Sequence, residues 1–112
     1  MEVQLHPEAV KEFERLPVQE REAMANARVK LEALGDQLSF PHSSSVRDAE
    51  RLRELRPRTG RSPWRAFYRR IGEAMVIGAI GPEATVDPNG FQRTVRAAVE
   101  RLAALEAERG QT

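Results

Sequence analysis

Apolar residues recur along this chain at two different periods, and the changes of period mark its elements. Residues 2–5 (EVQL) are short and apolar at alternate places, as a first strand should be. His6-Pro7-Glu8 then opens a helix. Proline at the first helical position gives up a donor that has no partner there, and Glu8 suits the positive end of the dipole. Val10, Phe13 and Leu16 follow at helical spacing. Pro17 breaks this helix and opens a second, in which Met24, Ala27, Leu31 and Leu34 form an amphipathic stripe and Gly35 stands at the C-terminal cap. Residues 7–34 therefore predict two helices, or one bent helix, lying on a sheet.

Residues 35–46 (GDQLSFPHSSSV) are loop by composition. Residues 52–56 (LRELR) read as a strand, although their charges also allow helix. Residues 57–63 (PRTGRSP) hold two prolines and a glycine and read as a loop. Residues 64–71 (WRAFYRRI) alternate and are rich in aromatics, a strand signature. Gly72-Glu73 is a two-residue turn. Residues 74–80 (AMVIGAI) are apolar on both faces, as a central, covered strand should be, and Gly78 within them marks a bulge or the close approach of another backbone. Asp87-Pro88 supplies an N-cap and a first-turn proline. Phe91, Val95, Ala98, Leu102 and Leu105 then give the last helix one apolar face, with fraying expected over 108–112. The order β-α-α-β-β-β-α predicts one α+β domain over residues 1–112, a small antiparallel sheet flanked by helices.

Composition narrows the chemistry. The chain has no cysteine, which removes disulfides, thiolate metal sites and cysteine nucleophiles. No apolar run approaches the roughly 20 residues of a membrane span, and MEVQLHPEAV lacks the basic and apolar regions of a signal peptide. A soluble, cytoplasmic protein without a membrane partner is expected. His6 and His42 are not spaced as metal ligands with each other or with a carboxylate pair, so no metal is expected. No glycine-rich phosphate loop is present, and Ser43-Ser44-Ser45 beside His42 reads as a capping or solvated loop.

Charge changes the picture more. Nine of the sixteen arginines fall between Arg47 and Arg70, against Asp48, Glu50 and Glu54, a local net of +6. The remainder of the chain carries −5. Clustered guanidinium groups grip phosphate oxygens bidentately, so this hairpin points to nucleic acid or to an acidic partner protein. Side chains alternate across a strand, which puts Arg65, Phe67 and Arg69 on one face and Ala66, Tyr68 and Arg70 on the other. The first face reads in two ways. Arg65 and Arg69 hold phosphate while Phe67 stacks on a base. Alternatively, Phe67 packs under the last helix while the arginines bridge its acids, Glu100 and Glu106.

The segment LRELRPRTGRSPWRAFYRRIGEAMVIGAIG resembles the middle of RelE/HigB-type toxins of type II toxin–antitoxin systems, and most of all their phage-derived HigB-like branch. The matching parts are Leu52-Arg53-Glu54-Leu55-Arg56, Gly60, Trp64-Arg65-Ala66-Phe67-Tyr68 and Met75-Val76-Ile77, with the Pro41-His42-Ser43 loop and the flanking helices in the same order. The resemblance implies a RelE-like fold. It also implies a metal- and cofactor-independent mRNA interferase that cleaves message on the ribosome, the RNA 2′-hydroxyl attacking its own phosphate while cations stabilise the developing charge. By the resemblance, Arg65 falls on the arginine at the scissile phosphate and Arg56 on the arginine of the Glu-Leu-Arg motif. The basic run that follows the apolar strand in many relatives is absent: Gly78 to Ala84 carries one acid and no base. Arg58, Arg61 and Arg69 would replace it as RNA contacts, and Glu54, Tyr68 and His42 are the candidates for acid and base. The implied partners are ribosome, mRNA and a cognate antitoxin, a helix-turn-helix DNA-binding protein. The missing base also leaves open a ParE-like toxin that poisons gyrase by binding, or a non-catalytic RNA- or protein-binding relic of the fold.

Overall fold

The computed structural model describes residues 1–110; Gln111 and Thr112, on which part of the expected fraying falls, lie outside the described residues. The strands are β1 (Glu2–Leu5), β2 (Ser43–Ser45), β3 (Arg53–Leu55), β4 (Trp64–Ile71) and β5 (Ala74–Pro82), and the helices are α1 (Pro7–Glu14), α2 (Val18–Leu34) and α3 (Pro88–Gly110). They form one five-stranded sheet in the order β1-β5-β4-β3-β2. The sheet is mixed. β1 runs parallel to β5, while the β2-β3-β4-β5 portion is antiparallel as expected. No helix among the described residues is long and apolar enough to cross a membrane.

Most boundaries follow from local chemistry. The His6 ring accepts the Glu8 N–H at 3.1 Å and caps α1. Gly35 ends α2 with φ of 52°, a conformation that favours glycine. Asp87 Oδ1 accepts the Gly90 N–H at 2.9 Å and caps α3. β2 differs from the loop that the composition of Ser43–Ser45 predicts. Ser43 is fully buried, its hydroxyl lies 2.6 Å from the Tyr68 hydroxyl, and the strand pairs along β3. A buried tertiary contact thus overrides a loop-like composition.

Two cores form, one on each face of the sheet. On the first, Leu16, Met24, Ala27 and Leu31 of the α1–α2 region pack against Leu55, Ala66, Tyr68, Met75 and Ile77. On the second, Val95, Ala98 and Leu102 of α3 pack against Phe67, Ile71, Val76 and Ala79. β5 is paired on both edges and covered on both faces, which explains its unbroken apolar run. Gly78 does both things expected of it. The pairing register shifts beside it, with Phe67 opposite Ala79 and Tyr68 opposite Ile77, so the strand gains a residue. A Cβ on Gly78 would also stand 2.8 Å from Leu102 Cγ and 3.2 Å from the Ala98 carbonyl oxygen. Gly78→Ala is therefore expected to push α3 outward and destabilise the domain by about 1–3 kcal/mol. The urea midpoint checks it, and an unchanged midpoint would mean that the α3 packing is looser than described.

Candidate functional site

The end of the sheet where β3 passes into β4 is built around a buried arginine. Arg65 is 3% exposed. Its guanidinium lies under the turn that follows β3, donating to the carbonyls of Ser62 (2.7 Å), Trp64 (3.0 Å) and Gly60 (3.1 Å). Its Nε stands 4.0 Å from Glu54 and makes no hydrogen bond. Burial, above all, lowers the affinity of Arg65 for its proton; Glu54 opposes this, neighbouring Arg56 adds to it, and Glu83 opposes it in turn.

The turn held in this way is strained. Arg58, Thr59 and Gly60 have φ of 54°, 55° and 95°, and for a β-branched threonine that conformation is unusual. Such a segment persists only where its surroundings over-determine it. Arg65 grips it from beneath. Glu20 of α2 grips it from the side, accepting from Arg58 Nη1 and from the Ser62 hydroxyl, both at 2.7 Å. Gly60 is needed for its φ, and a Cβ there, 2.5 Å from Arg56 Nη2, would displace that guanidinium.

Glu54 and Arg56 complete the cluster. The Glu54 carboxylate accepts from the Ser44 hydroxyl (3.0 Å) and from Arg56 Nη1 (3.2 Å). Arg56 also donates from Nε to the Pro41 carbonyl at 3.0 Å, and its guanidinium carbon lies 5.0 Å from the centre of the Phe40 ring. Two depressions flank the cluster. One, of about 540 Å³, is an open cleft between α3 and the β2–β3 loop; Arg47, Glu54, Gln92 and Arg96 lie along it. The other, of about 250 Å³, lies between α2 and the turn, lined by Lys30, His42, Arg56 and Arg58 among others.

The structure therefore divides the residues expected in the site. Glu54, Arg56 and Arg65 come together. His42, Arg56 and Arg58 share the smaller pocket. Arg61 stands exposed beside the turn, its Nε donating to the Arg58 carbonyl. Three expectations are corrected. Phe67 has no exposed surface and meets Phe91 edge to face at 5.4 Å beneath α3, so it offers no ring to a base. Arg69 is 8% exposed and paired with Glu106 at 2.6 Å, so it offers no open phosphate contact. Of the two readings of that face, packing is the one realised for both, although Glu100 takes no part. Tyr68 is buried in the opposite core with its hydroxyl against Ser43, on the face away from Glu54, so it is not brought together with the cluster. Arg65 itself faces inward rather than toward solvent, donating to the Gly60 and Ser62 carbonyls of the turn and to that of Trp64 at the start of β4. In the sequence Arg47 stands out only as one end of the basic segment, and Phe40 and Arg96 not at all; an aromatic beside Pro41-His42 is the only signal for Phe40.

Replacing Arg65 by alanine would leave three inward carbonyls without a donor, and is expected to cost about 2–4 kcal/mol in chemical denaturation. Arg61→Ala, at an exposed position, should cost less than about 0.5 kcal/mol. The Glu20 grip has a pH signature. Burial works against its ionisation, but hydrogen bonds from Ser62 and Arg58 and the charge of Arg58 hold the carboxyl below its ordinary 4.5. A carboxyl lowered on folding adds stability above its unfolded value and loses it as pH falls through the folded one. Urea midpoints should therefore fall below about pH 4.5. The drop should be smaller in Glu20→Gln, which should already be weakened at pH 7; identical profiles would contradict the clamp.

Comparison with known proteins places the fold. No curated protein sequence matches the chain. Among solved structures, a mutant of the Escherichia coli toxin RelE in the free state superposes with a TM-score of 0.60 at 16% identity, covering 85% of this chain and 94% of that one. The isolated E. coli RelE toxin gives 0.58 at 18% identity, covering 82% and 96%. The intact E. coli RelBE toxin–antitoxin complex gives 0.53 at 19%, covering 73% and 95%. The chain thus has the RelE fold. The family model for phage derived protein Gp49-like (DUF891) matches residues 11–77, from α1 through the arginine cluster into β5. Since that match spans more than half of its length, the chain belongs to the phage-derived Gp49-like family.

Proposed function

We propose that this protein is the toxin of a type II toxin–antitoxin pair and acts on mRNA at the ribosome as a metal-independent endoribonuclease. The observation that carries the reading is the RelE fold over most of the chain, with the Glu54–Arg56–Arg65 cluster at one end of its sheet. In this reading Arg56 contacts the scissile phosphate. It lines the smaller depression, is bonded to Glu54 at the edge of the larger one, and its side chain retains 19% exposure. Arg65 is a positioning residue: it holds the turn and stands beside Glu54, which in turn holds Arg56. Arg47 and Arg96, whose side chains have no hydrogen-bond or ion-pair partner among the described residues, lead the strand along the larger cleft, and Arg61 meets it at the turn. His42 is the side chain best placed to exchange a proton near Arg56. Glu54 is already committed to Ser44 and Arg56. The RelBE complex supports a cognate antitoxin, for which a helix-turn-helix DNA-binding protein is the proposed kind, and the cytoplasm is the proposed compartment.

One observation favours a second reading. Tyr68 is sequestered and Glu54 is bound up in ion pairs, which leaves the proton-transfer chemistry thin, so a toxin that poisons gyrase by binding stands next. Brief induction separates the two. Growth arrest with codon-phased message cuts, mapped by primer extension, is expected; arrest with intact messages and broken DNA would support gyrase poisoning, and no arrest would support a relic. Arg56→Ala should remain folded and lose about 10²- to 10³-fold in cleavage rate, as expected for one phosphate contact made in the transition state. Cleavage by that variant at the parent rate would remove Arg56 from the site.

A further inference from the structure

Phe40 lies in the loop between α2 and β2 with 70% of its surface exposed, the highest value for any large apolar side chain among the described residues. Leu38, two residues earlier, is buried at 2%. The core therefore takes the neighbouring leucine and leaves the aromatic outside. The ring nevertheless has a fixed partner. Arg56 stacks at 5.0 Å from its centroid, within cation–π range. Arg56 is itself tied to the Pro41 carbonyl and to Glu54, so its guanidinium is held against the ring. A ring backed by a held cation, with most of its surface open, is a platform rather than a packing contact.

The surroundings indicate what the platform takes. The adjacent pocket of about 250 Å³ is polar, with Lys30, His42, Arg56 and Arg58 on its walls against one acid, Glu22. That volume is below the range usual for sites that enclose a small molecule. It suits a strand laid across its mouth, one base on the ring and one phosphate toward the cations. We propose that Phe40, with Arg56 behind it, stacks one unpaired base of single-stranded RNA. The proposal rests on the reading of the chain as an RNA-directed toxin and adds to it a recognition residue outside the Glu54–Arg56–Arg65 cluster. Stacking of this kind is tolerant of base identity, because every base presents a π-face.

The test is the affinity of the full chain for a fluorescein-labelled uridine dodecamer, measured by anisotropy. The comparison is with a dodecamer of the same ribose-phosphate backbone lacking bases. Phe40→Ala should weaken binding of the uridine strand by about tenfold and leave the abasic strand within about twofold. Phe40→Trp should bind the uridine strand at least as tightly as the parent. Both variants should keep the parent's circular dichroism, since the ring is outside the core. Equal binding of the uridine strand by parent and Phe40→Ala would overturn the platform and leave the RNA reading standing. Equal weakening on both strands would also overturn it, by showing that the ring serves only to hold Arg56. A Phe40→Ala protein that loses toxicity but keeps its RNA affinity would assign the ring to a protein surface instead. A parent that binds neither strand and cuts no message would remove the RNA reading and the platform with it.

Discussion

The turn between β3 and β4 exists because a guanidinium is buried under it. Three consecutive residues there take left-handed backbone conformations, and two of them are not glycine. Each of those two, Arg58 and Thr59, costs about 1–3 kcal/mol that neighbouring contacts must offset. Arg65 supplies these contacts from inside through three backbone carbonyls, and Glu20 supplies them from α2. With the turn fixed, Gly60 leaves room for the Arg56 guanidinium, and Arg56 reaches Glu54, the Pro41 carbonyl and the Phe40 ring. The placement of Arg56 against Glu54 and Phe40 thus rests on the turn that Arg65 and Glu20 hold together.

The same logic reorganises the charge of the chain. In sequence the Arg47–Arg70 segment is strongly basic and the rest acidic. In the fold the two halves meet. Arg58 pairs with Glu20, Arg70 with Asp36, and Arg51 and Arg69 converge on Glu106. Glu106 is held below the ordinary carboxylate range chiefly by its hydrogen bond from Arg69. Most of these arginines are thus structural at least in part, tying loops and helices to the hairpin. Arg47, from the segment, and Arg96, from α3, remain unpaired beside the cleft. The proposed binding surface is therefore narrower than the arginine count suggests, and it includes a cation from a helix that composition did not single out.

How much of this was legible in the sequence depends on the kind of interaction involved. Period and punctuation were enough for the helices, for β4 and for the Gly72-Glu73 turn, because proline, glycine and alternation act locally. Even the double role of Gly78 could be read, since a glycine inside an apolar strand has few other uses. β2 escaped because serines at an edge become strand only through the pairing of Ser43–Ser45 with β3 and the Tyr68 hydroxyl beneath. The parallel pairing of β1 with β5 is a contact between residues some seventy positions apart. The site divided along the same line. Strand alternation correctly put Arg65, Phe67 and Arg69 on one face, but not that α3 would cover it. Phe40 escaped because its significance lies in Arg56, sixteen residues later in the chain.

The central claim is that most of the arginines hold the structure and a few hold RNA. The salt dependence of binding to an unstructured single-stranded RNA tests it directly, because the slope of log affinity against log salt counts the phosphates neutralised, at about 0.7 per contact. Contacts from Arg47, Arg56, Arg61 and Arg96 predict a slope of about −3. A slope near −6, as nine open arginines would give, or an affinity insensitive to salt, would contradict the account.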